Sequence, residues 1–175
     1  MVTLFRVLLA FVLALCAAEV HAAEESLELH LPGLSHHFGS PQQAGRSWTD
    51  FHDGLGVQWT RRDTKMVVRY TAGFMRDSFG AQGLYAGGSI GYRLLEGDHE
   101  IDLAAAPLVL YRTTRFDDES GKAPYKVIPV IMPLLSYEHR ASGFGGNLTI
   151  LPAGNFGKDL RFPGLIFVQF TYRLR

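Results

Sequence analysis

Hydrophobic and polar residues alternate with a period of two along most of the chain after residue 24. The last segment shows the pattern most clearly, with one face made of Ile166, Val168, Phe170, Tyr172 and Leu174 and the other of Gln169, Thr171, Arg173 and Arg175. The same alternation recurs over residues 66–75 and 100–109. Such a period is typical of β-strands, and no segment shows a convincing helical period. The sequence therefore predicts an all-β chain.

Breaks in the alternation divide the chain into eight predicted strands, near residues 27–37, 54–62, 65–76, 82–94, 99–112, 124–139, 142–152 and 164–175. The links at 61–64, 96–98 and 140–141 are tight, the link at 77–81 is intermediate, and those at 38–53, 113–123 and 153–163 are long. Short turns at one end and long loops at the other are the rule in transmembrane barrels, of which eight strands is the smallest usual size. We therefore predict an eight-stranded antiparallel outer-membrane barrel with both termini in the periplasm.

A soluble β-sandwich also alternates, so the composition of the two faces has to separate the two folds. Large aliphatic and aromatic residues make up most of one face in strand after strand, as a surface in contact with lipid requires. The opposite face mixes glycine with polar and charged residues, which suits a narrow lumen. A sandwich would place its bulky residues between two sheets. These features favour the membrane barrel.

The N-terminus has the features of an export signal. Arg6 precedes an apolar stretch over residues 7–18, and small residues at positions 20 and 22 suit a cleavage site. We expect a signal peptide over residues 1–22 and a single barrel domain over residues 23–175. The one cysteine, Cys16, lies inside the signal and follows Leu15. A lipoprotein signal requires a smaller residue there, so the mature chain is expected to contain no cysteine.

Charge and metal-ligand content narrow the possible partners. The 17 basic and 17 acidic residues balance, so the chain has no basic face of the kind that binds nucleic acid. His30, His36 and His37 lack a suitably spaced further ligand, so no metal site is expected, and no cofactor is implied by the function considered below. We expect membrane lipids as partners and a monomeric barrel.

Candidate chemistry is concentrated at one predicted rim. His36 and His37 end the first predicted strand, and Asp77 and Ser78 end the third. Odd-numbered strands run the same way, so these residues reach the same end of the barrel. An imidazole, a hydroxyl and a carboxylate are the groups needed for acyl transfer, in which the imidazole removes the proton of the attacking hydroxyl. The alternative interpretation is a polar rim with a turn-forming Asp–Ser pair.

A family resemblance emerges from several short motifs taken in order. They are Leu-His-Leu-Pro-Gly-Leu-Ser-His-His at 29–37, Gly-Leu-Gly-Val at 54–57, Met-Arg-Asp-Ser-Phe at 75–79, Ala-Gly at 86–87, Ile-Pro-Val-Ile-Met-Pro-Leu at 128–134 and Ile-Leu-Pro-Ala-Gly at 150–154. Together they resemble the PagP-like family, outer-membrane enzymes that transfer a palmitoyl chain from a phospholipid to lipid A. In that family a proline precedes the catalytic histidine by five residues, which selects His37 over His36.

The resemblance implies roles for three sets of residues. His37 is the general base on the lipid A hydroxyl, and Asp77 and Ser78 orient and polarise the reacting groups. Pro32, Pro129 and Pro152 interrupt the strand ladders and allow lipids to enter sideways. An interior acyl-chain slot involves Gly73, Gly87 and Ser89, with Gly56 and Gly91 also on inward faces. Ser89 stands where the family has a glycine at the slot floor, which predicts an acyl chain slightly shorter than palmitoyl.

Two other functions remain open. One is a barrel of the same family without catalysis, serving as a structural or lipid-binding surface protein. The other is a lipid A deacylase barrel, which lacks the expected serine–histidine arrangement near the C-terminus. The chain also departs from the PagP-like pattern, because it has no N-terminal amphipathic helix, has His36 in place of a tryptophan, and ends in Arg175 in place of an aromatic residue.

Overall fold

The structure, a computed structural model, describes residues 23–38, 49–78, 80–113, 125–156, 160–162 and 164–174. The predicted signal peptide, residues 1–22, lies outside the described residues. Among the described residues, no helix is long and apolar enough to cross a membrane.

The described chain forms eleven strands: β1 Glu24–Phe38, β2 Phe51–His52, β3 Gly54–Arg62, β4 Met66–Arg76, β5 Gln82–Leu95, β6 His99–Thr113, β7 Tyr125–His139, β8 Phe144–Leu151, β9 Gly154–Phe156, β10 Leu160–Phe162 and β11 Gly164–Leu174. Eight of them pair with their neighbours in the order β11-β8-β7-β6-β5-β4-β3-β1, and β1 also pairs with β11. All these pairs are antiparallel. The fold is therefore a closed eight-stranded barrel, as predicted.

The remaining short strands lie within the long predicted links. β2 extends β3 toward the end of β1, where it pairs through Gly33–His52 and Leu34–Phe51. β9 and β10 form a separate two-stranded hairpin between β8 and β11. Neither feature is predicted from the alternation pattern, because strands of two or three residues are too short to show a period.

The two ends of the barrel differ in their connections. β1 ends at Phe38 and β4 ends at Arg76 at the same end of the barrel, which is called here the His37 end. The longer links are also at this end. The opposite end, called here the Arg62 end, holds both described termini and three tight turns. Gly97 and Gly143 lie in two of these turns with φ of 120° and 74°, a conformation that favours glycine. The predicted alternation of short and long links is confirmed.

The polarity of the molecule is reversed relative to a soluble protein. The outward face carries large hydrophobic side chains on every barrel strand, and Ile131 is 75 % exposed. The only buried apolar side chains among the described residues are Val67, Ala104 and Ala106. An exposed apolar surface on this scale is stable only where lipid replaces water, and the pairing of β1 with β11 closes the sheet into a barrel, as such a setting requires. The distribution is that of a membrane-spanning barrel.

An ion-pair network closes the Arg62 end. The Arg62 guanidinium contacts the carboxylates of Glu28, at 3.1 Å, Glu100, at 3.1 Å, and Glu138. Arg140 also contacts Glu100, at 2.9 Å, and Arg173 contacts Glu138, at 2.9 Å. Buried charges of this kind are tolerated only when each is paired and hydrogen-bonded. The charged side chains at this end thus form an ion-paired cluster, called here the charged plug.

Candidate active site

His37 and Ser78 meet inside the His37 end. His37 is the second-last residue of β1 and its side chain is half-buried on the inward face, whereas His36 points outward and is exposed. Ser78 lies just after β4 and is buried. The distance between Ser78 Oγ and His37 Nε2 is 2.9 Å, within hydrogen-bond range. The structure brings these two predicted residues together, and their catalytic role stays a prediction.

Asp77 shapes the turn that carries Ser78. Its backbone amide donates to the Ala81 carbonyl at 2.8 Å, and its carboxylate accepts the Ala81 amide at 2.9 Å. The other carboxylate oxygen accepts a hydrogen bond from Arg112 of β6 at 2.7 Å. Asp77 therefore fixes the turn against β6. Sequence reasoning missed Arg112, whose only signal is a charge at an inward position near the end of a predicted strand.

A second serine–histidine pair lies one inward position deeper on β1. His52 Nε2 is 2.7 Å from Ser35 Oγ, and His52 Nδ1 is 2.9 Å from the Arg76 carbonyl oxygen. Both side chains are buried. Sequence reasoning missed this pair because His52 falls in the predicted 38–53 link. Nothing in the local pattern indicates that β2 carries His52 across to Ser35.

The lumen has two halves of different chemistry. Near the His37 end, the inward side chains of β6 and β7 are half-exposed aliphatic residues: Leu108, Leu110, Ile128, Val130, Met132 and Leu134. Toward the Arg62 end, the inward positions of the same strands become Asp102, Ser136 and Glu138, all buried. Aliphatic side chains that line a lumen without being buried leave apolar surface available to a ligand. The half of the lumen beside His37 therefore suits a hydrocarbon chain.

Tyr85 occupies part of the space that is predicted from the sequence to hold an acyl chain. A Cβ built on Gly73 would lie 2.5 Å from the Tyr85 hydroxyl oxygen, and one on Gly56 would lie 2.3 Å from it. The hydroxyl also hydrogen-bonds to His30 Nδ1 at 2.9 Å and to Gln169 Nε2 at 3.3 Å. These two glycines thus accommodate an aromatic side chain, and the expectation that they leave open space is corrected.

The other two predicted slot residues lie deeper in the barrel. A Cβ on Gly87 would lie 2.4 Å from the Pro107 carbonyl oxygen, so this glycine permits a close approach of β5 and β6. Ser89 pairs with Arg69 in the β4–β5 ladder and is buried, and its hydroxyl has no hydrogen-bond partner among the described residues. Along β5, Tyr85 comes before Ser89 from the His37 end. A role for Gly87 or Ser89 in chain selection stays a prediction.

The barrel wall is incomplete between β7 and β8. The paired residues run only from His139–Phe144 to Leu135–Leu148, although both strands continue toward the His37 end. The Thr149 hydroxyl donates to the Pro133 carbonyl at 2.5 Å just beyond the last pair. Because the amide and carbonyl of one residue point to the same side of an antiparallel strand, the missing N–H of Pro133 also faces β8. A proline thus explains why the ladder stops.

The three prolines predicted to mark lateral openings have different surroundings. Pro129 lies in β7 beyond the last β7–β8 pair, and Pro152 follows the end of β8. Pro32 lies where the register of β1 shifts by one residue against β11, and where its pairing passes from β3 to β2. Two of the three therefore border the β7–β8 gap. At Pro32, in contrast, β1 pairs again with β11 and β2 from the next residue, Gly33.

No group of three or more His, Cys, Asp or Glu side chains in the described part of the chain is arranged to hold a metal ion. No family model matches the chain. No curated protein matches it in sequence either. Among solved structures, it is similar to the Yersinia pestis outer membrane protein Ail in a phospholipid bilayer nanodisc, with 10 % identity and a TM-score of 0.43 over 86 % of this chain and 100 % of that chain.

Proposed function

We propose that this protein is an outer-membrane acyltransferase that moves an acyl chain from a phospholipid to lipid A. The observation that carries the proposal is the His37–Ser78 contact at 2.9 Å, formed inside a barrel end whose lumen is lined by half-exposed aliphatic side chains. A base next to a hydrocarbon-binding surface is what acyl transfer between lipids requires. The His37 end faces outward in this proposal, and both termini are periplasmic.

Each group has a specific role in the proposed reaction. His37 removes the proton from the acceptor hydroxyl of lipid A, which then attacks the ester carbonyl of the phospholipid. Ser78 holds the imidazole in position through its hydrogen bond. Asp77 acts through the turn that it forms and through Arg112, so it is a positioning residue. Lipids enter through the β7–β8 gap bordered by Pro129 and Pro152, and no cofactor or metal takes part.

A lipid-binding barrel without turnover is the second candidate. The observation that favours it is Tyr85, because its hydroxyl lies over Gly56 and Gly73 and shortens the space available below His37. A protein that only binds the end of an acyl chain needs no deeper slot in the lumen. The two candidates differ in whether any product is formed.

The deciding experiment incubates the refolded barrel with a palmitoyl phospholipid and lipid A in mixed micelles and follows lipid A mass. We expect acylated lipid A from the wild type, and a loss of at least a hundredfold in His37→Ala, since general-base catalysis contributes roughly 10²–10⁴-fold. Ser78→Ala is expected to lose part of the activity. The matched control is His36→Ala, because His36 is adjacent but points outward.

Folding has to be monitored in the same samples, by circular dichroism and by the heat-dependent gel mobility of the barrel. A folded wild type that forms no acylated lipid A, while retaining bound phospholipid, would support the second candidate. Equal losses in His36→Ala and His37→Ala would contradict the assignment of the base.

A further inference from the structure

The Ser35–His52 pair has a defined protonation pattern. The Arg76 carbonyl oxygen can only accept a hydrogen bond, so the nitrogen that faces it, His52 Nδ1, carries the proton. In the neutral ring the lone pair then lies on Nε2, which is 2.7 Å from Ser35 Oγ. Ser35 therefore donates to His52. A serine hydroxyl that donates to a histidine held by a third group is the arrangement of an activated nucleophile.

The pair lies at the His37 end of the barrel, where aliphatic side chains of β6 and β7 line part of the lumen. Ser35 faces inward on β1 two residues before His37, and it pairs across the ladder with Phe167 of β11. The rings of Phe167 and His52 pack in a T-shaped arrangement, with ring centroids 5.5 Å apart. His52 bonds to the carbonyl of Arg76 and His37 to the side chain of Ser78, two residues further along the same segment. The two serine–histidine pairs are therefore neighbours in one site.

The main chain around Ser35 holds this geometry in place. The Ser35 amide donates to the Asp50 carbonyl at 2.7 Å, and the Arg76 amide donates to the Asp53 carbonyl at 2.8 Å. These bonds fix β2 between β1 and the end of β4, so His52 is positioned from both sides. A base that is oriented before substrate arrives needs little reorganisation during the reaction.

We propose that Ser35 is an acyl-accepting nucleophile with His52 as its base, so that transfer passes through an acyl-serine intermediate. This inference rests on the proposed acyltransferase function and deepens it. Ser35 Oγ attacks the phospholipid ester carbonyl while its proton passes to His52 Nε2. The ester C–O bond to the glycerol oxygen then breaks, and His52 returns the proton to that oxygen, which releases lysophospholipid and leaves the acyl chain on Ser35.

The second half of the reaction uses the neighbouring pair. The lipid A hydroxyl loses its proton to His37 and attacks the acyl-serine carbonyl. The bond from the carbonyl carbon to Ser35 Oγ breaks, and Oγ regains a proton from His37, either directly or through His52. The acyl group ends on lipid A and both histidines return to their neutral state. The Ser35–His52 pair thus acts on the phospholipid donor, and the His37–Ser78 pair acts on the lipid A acceptor.

The test is intact-protein and peptide mass spectrometry after acid quenching of the full-length refolded barrel, incubated with a palmitoyl phospholipid alone. We expect one added palmitoyl group on the peptide that contains Ser35. The adduct disappears in Ser35→Ala and falls at least tenfold in His52→Gln. When lipid A is then added, the adduct is consumed in the wild type and persists in His37→Ala, which keeps the donor pair. Ser142→Ala is the matched control, because Ser142 Oγ lies 2.9 Å from His139 Nδ1 at the Arg62 end.

The outcomes separate this inference from the proposed function. Lipid A acylation by Ser35→Ala at the wild-type rate, with no adduct in any variant, would overturn the acyl-serine intermediate and leave the transferase intact. An acyl group on Ser35 that is never transferred to lipid A would support Ser35 as the nucleophile and contradict lipid A as the acyl acceptor. If Ser35→Ala does not fold, Ser35→Cys replaces it, and a trapped thioester supports the inference while its absence overturns it.

Discussion

Replacing Arg62 with methionine tests whether the charged plug at the Arg62 end stabilises the barrel. Methionine keeps most of the side-chain volume but removes the cation that contacts Glu28, Glu100 and Glu138. Glu100 keeps Arg140 and Glu138 keeps Arg173 as ion-pair partners. Glu28 retains hydrogen bonds from Ser26 and Gln58 and loses its direct ion pair with Arg62. The main cost is therefore a buried carboxylate without an adjacent cation.

The expected loss of stability can be taken from buried ion pairs that have been broken in other proteins. Removing one partner of a buried ion pair destabilises proteins by about 3–5 kcal/mol. With a urea dependence of about 2 kcal/mol per molar, the unfolding midpoint would fall by about 1.5–2.5 M. The measurement is urea unfolding of the barrel in lipid micelles, followed by tryptophan fluorescence, with Trp59 and the other tryptophan as reporters.

Two further variants make the interpretation unambiguous. Arg61→Met removes the adjacent arginine of β3, which has no ion pair among the described residues. It is expected to change the free energy of unfolding by less than about 0.5 kcal/mol. Adding Glu28→Gln to Arg62→Met removes the unpaired charge and should recover part of the stability. A midpoint for Arg62→Met equal to that of Arg61→Met would refute the reasoning.

Two more predictions concern the lumen near the His37 end. Tyr85 precedes Ser89 on β5 from the His37 end, so Tyr85→Ala is expected to lengthen the acyl chain found on lipid A, and Ser89→Gly to lengthen it further only in the Tyr85→Ala background. Product mass spectrometry with mixed-chain phospholipids measures the chain length, and a longer chain with Ser89→Gly alone would contradict the role of Tyr85. Gly33→Ala is expected to lose about 1–3 kcal/mol of unfolding free energy, because its Cβ would lie 2.7 Å from the Phe167 ring and 2.8 Å from the Val168 carbonyl oxygen, and an unchanged midpoint would contradict this.

The strands could be predicted closely from the sequence because alternation is a local signal. The predicted 54–62 strand matches β3, and the predicted 82–94 and 99–112 strands each differ by one residue from β5 and β6. Lipid on one side and a narrow lumen on the other impose opposite chemistry on successive residues, so the period is strong. The number of strands and the alternation of link lengths follow from the same signal.

The site could be predicted only in part, because its contacts join residues that are far apart in the chain. The rule that odd strands run the same way places His37 and Ser78 at one end, but it gives no distance between them. Tyr85 has the same inward parity as Gly87, yet nothing local shows that it covers Gly73. His52 reaches Ser35 only because β2 follows a register shift at Pro32. Such contacts depend on closure of the whole barrel.

The charged plug also bears on how the protein affects the permeability of its membrane. Three arginines and four glutamates cross-link the strands at one end, and Tyr85 with its hydrogen-bonded neighbours spans the lumen above them. We therefore expect no ionic current through this molecule in a planar bilayer. If the proposed lipid modification takes place at the opposite end, it proceeds without opening a path for solutes across the membrane.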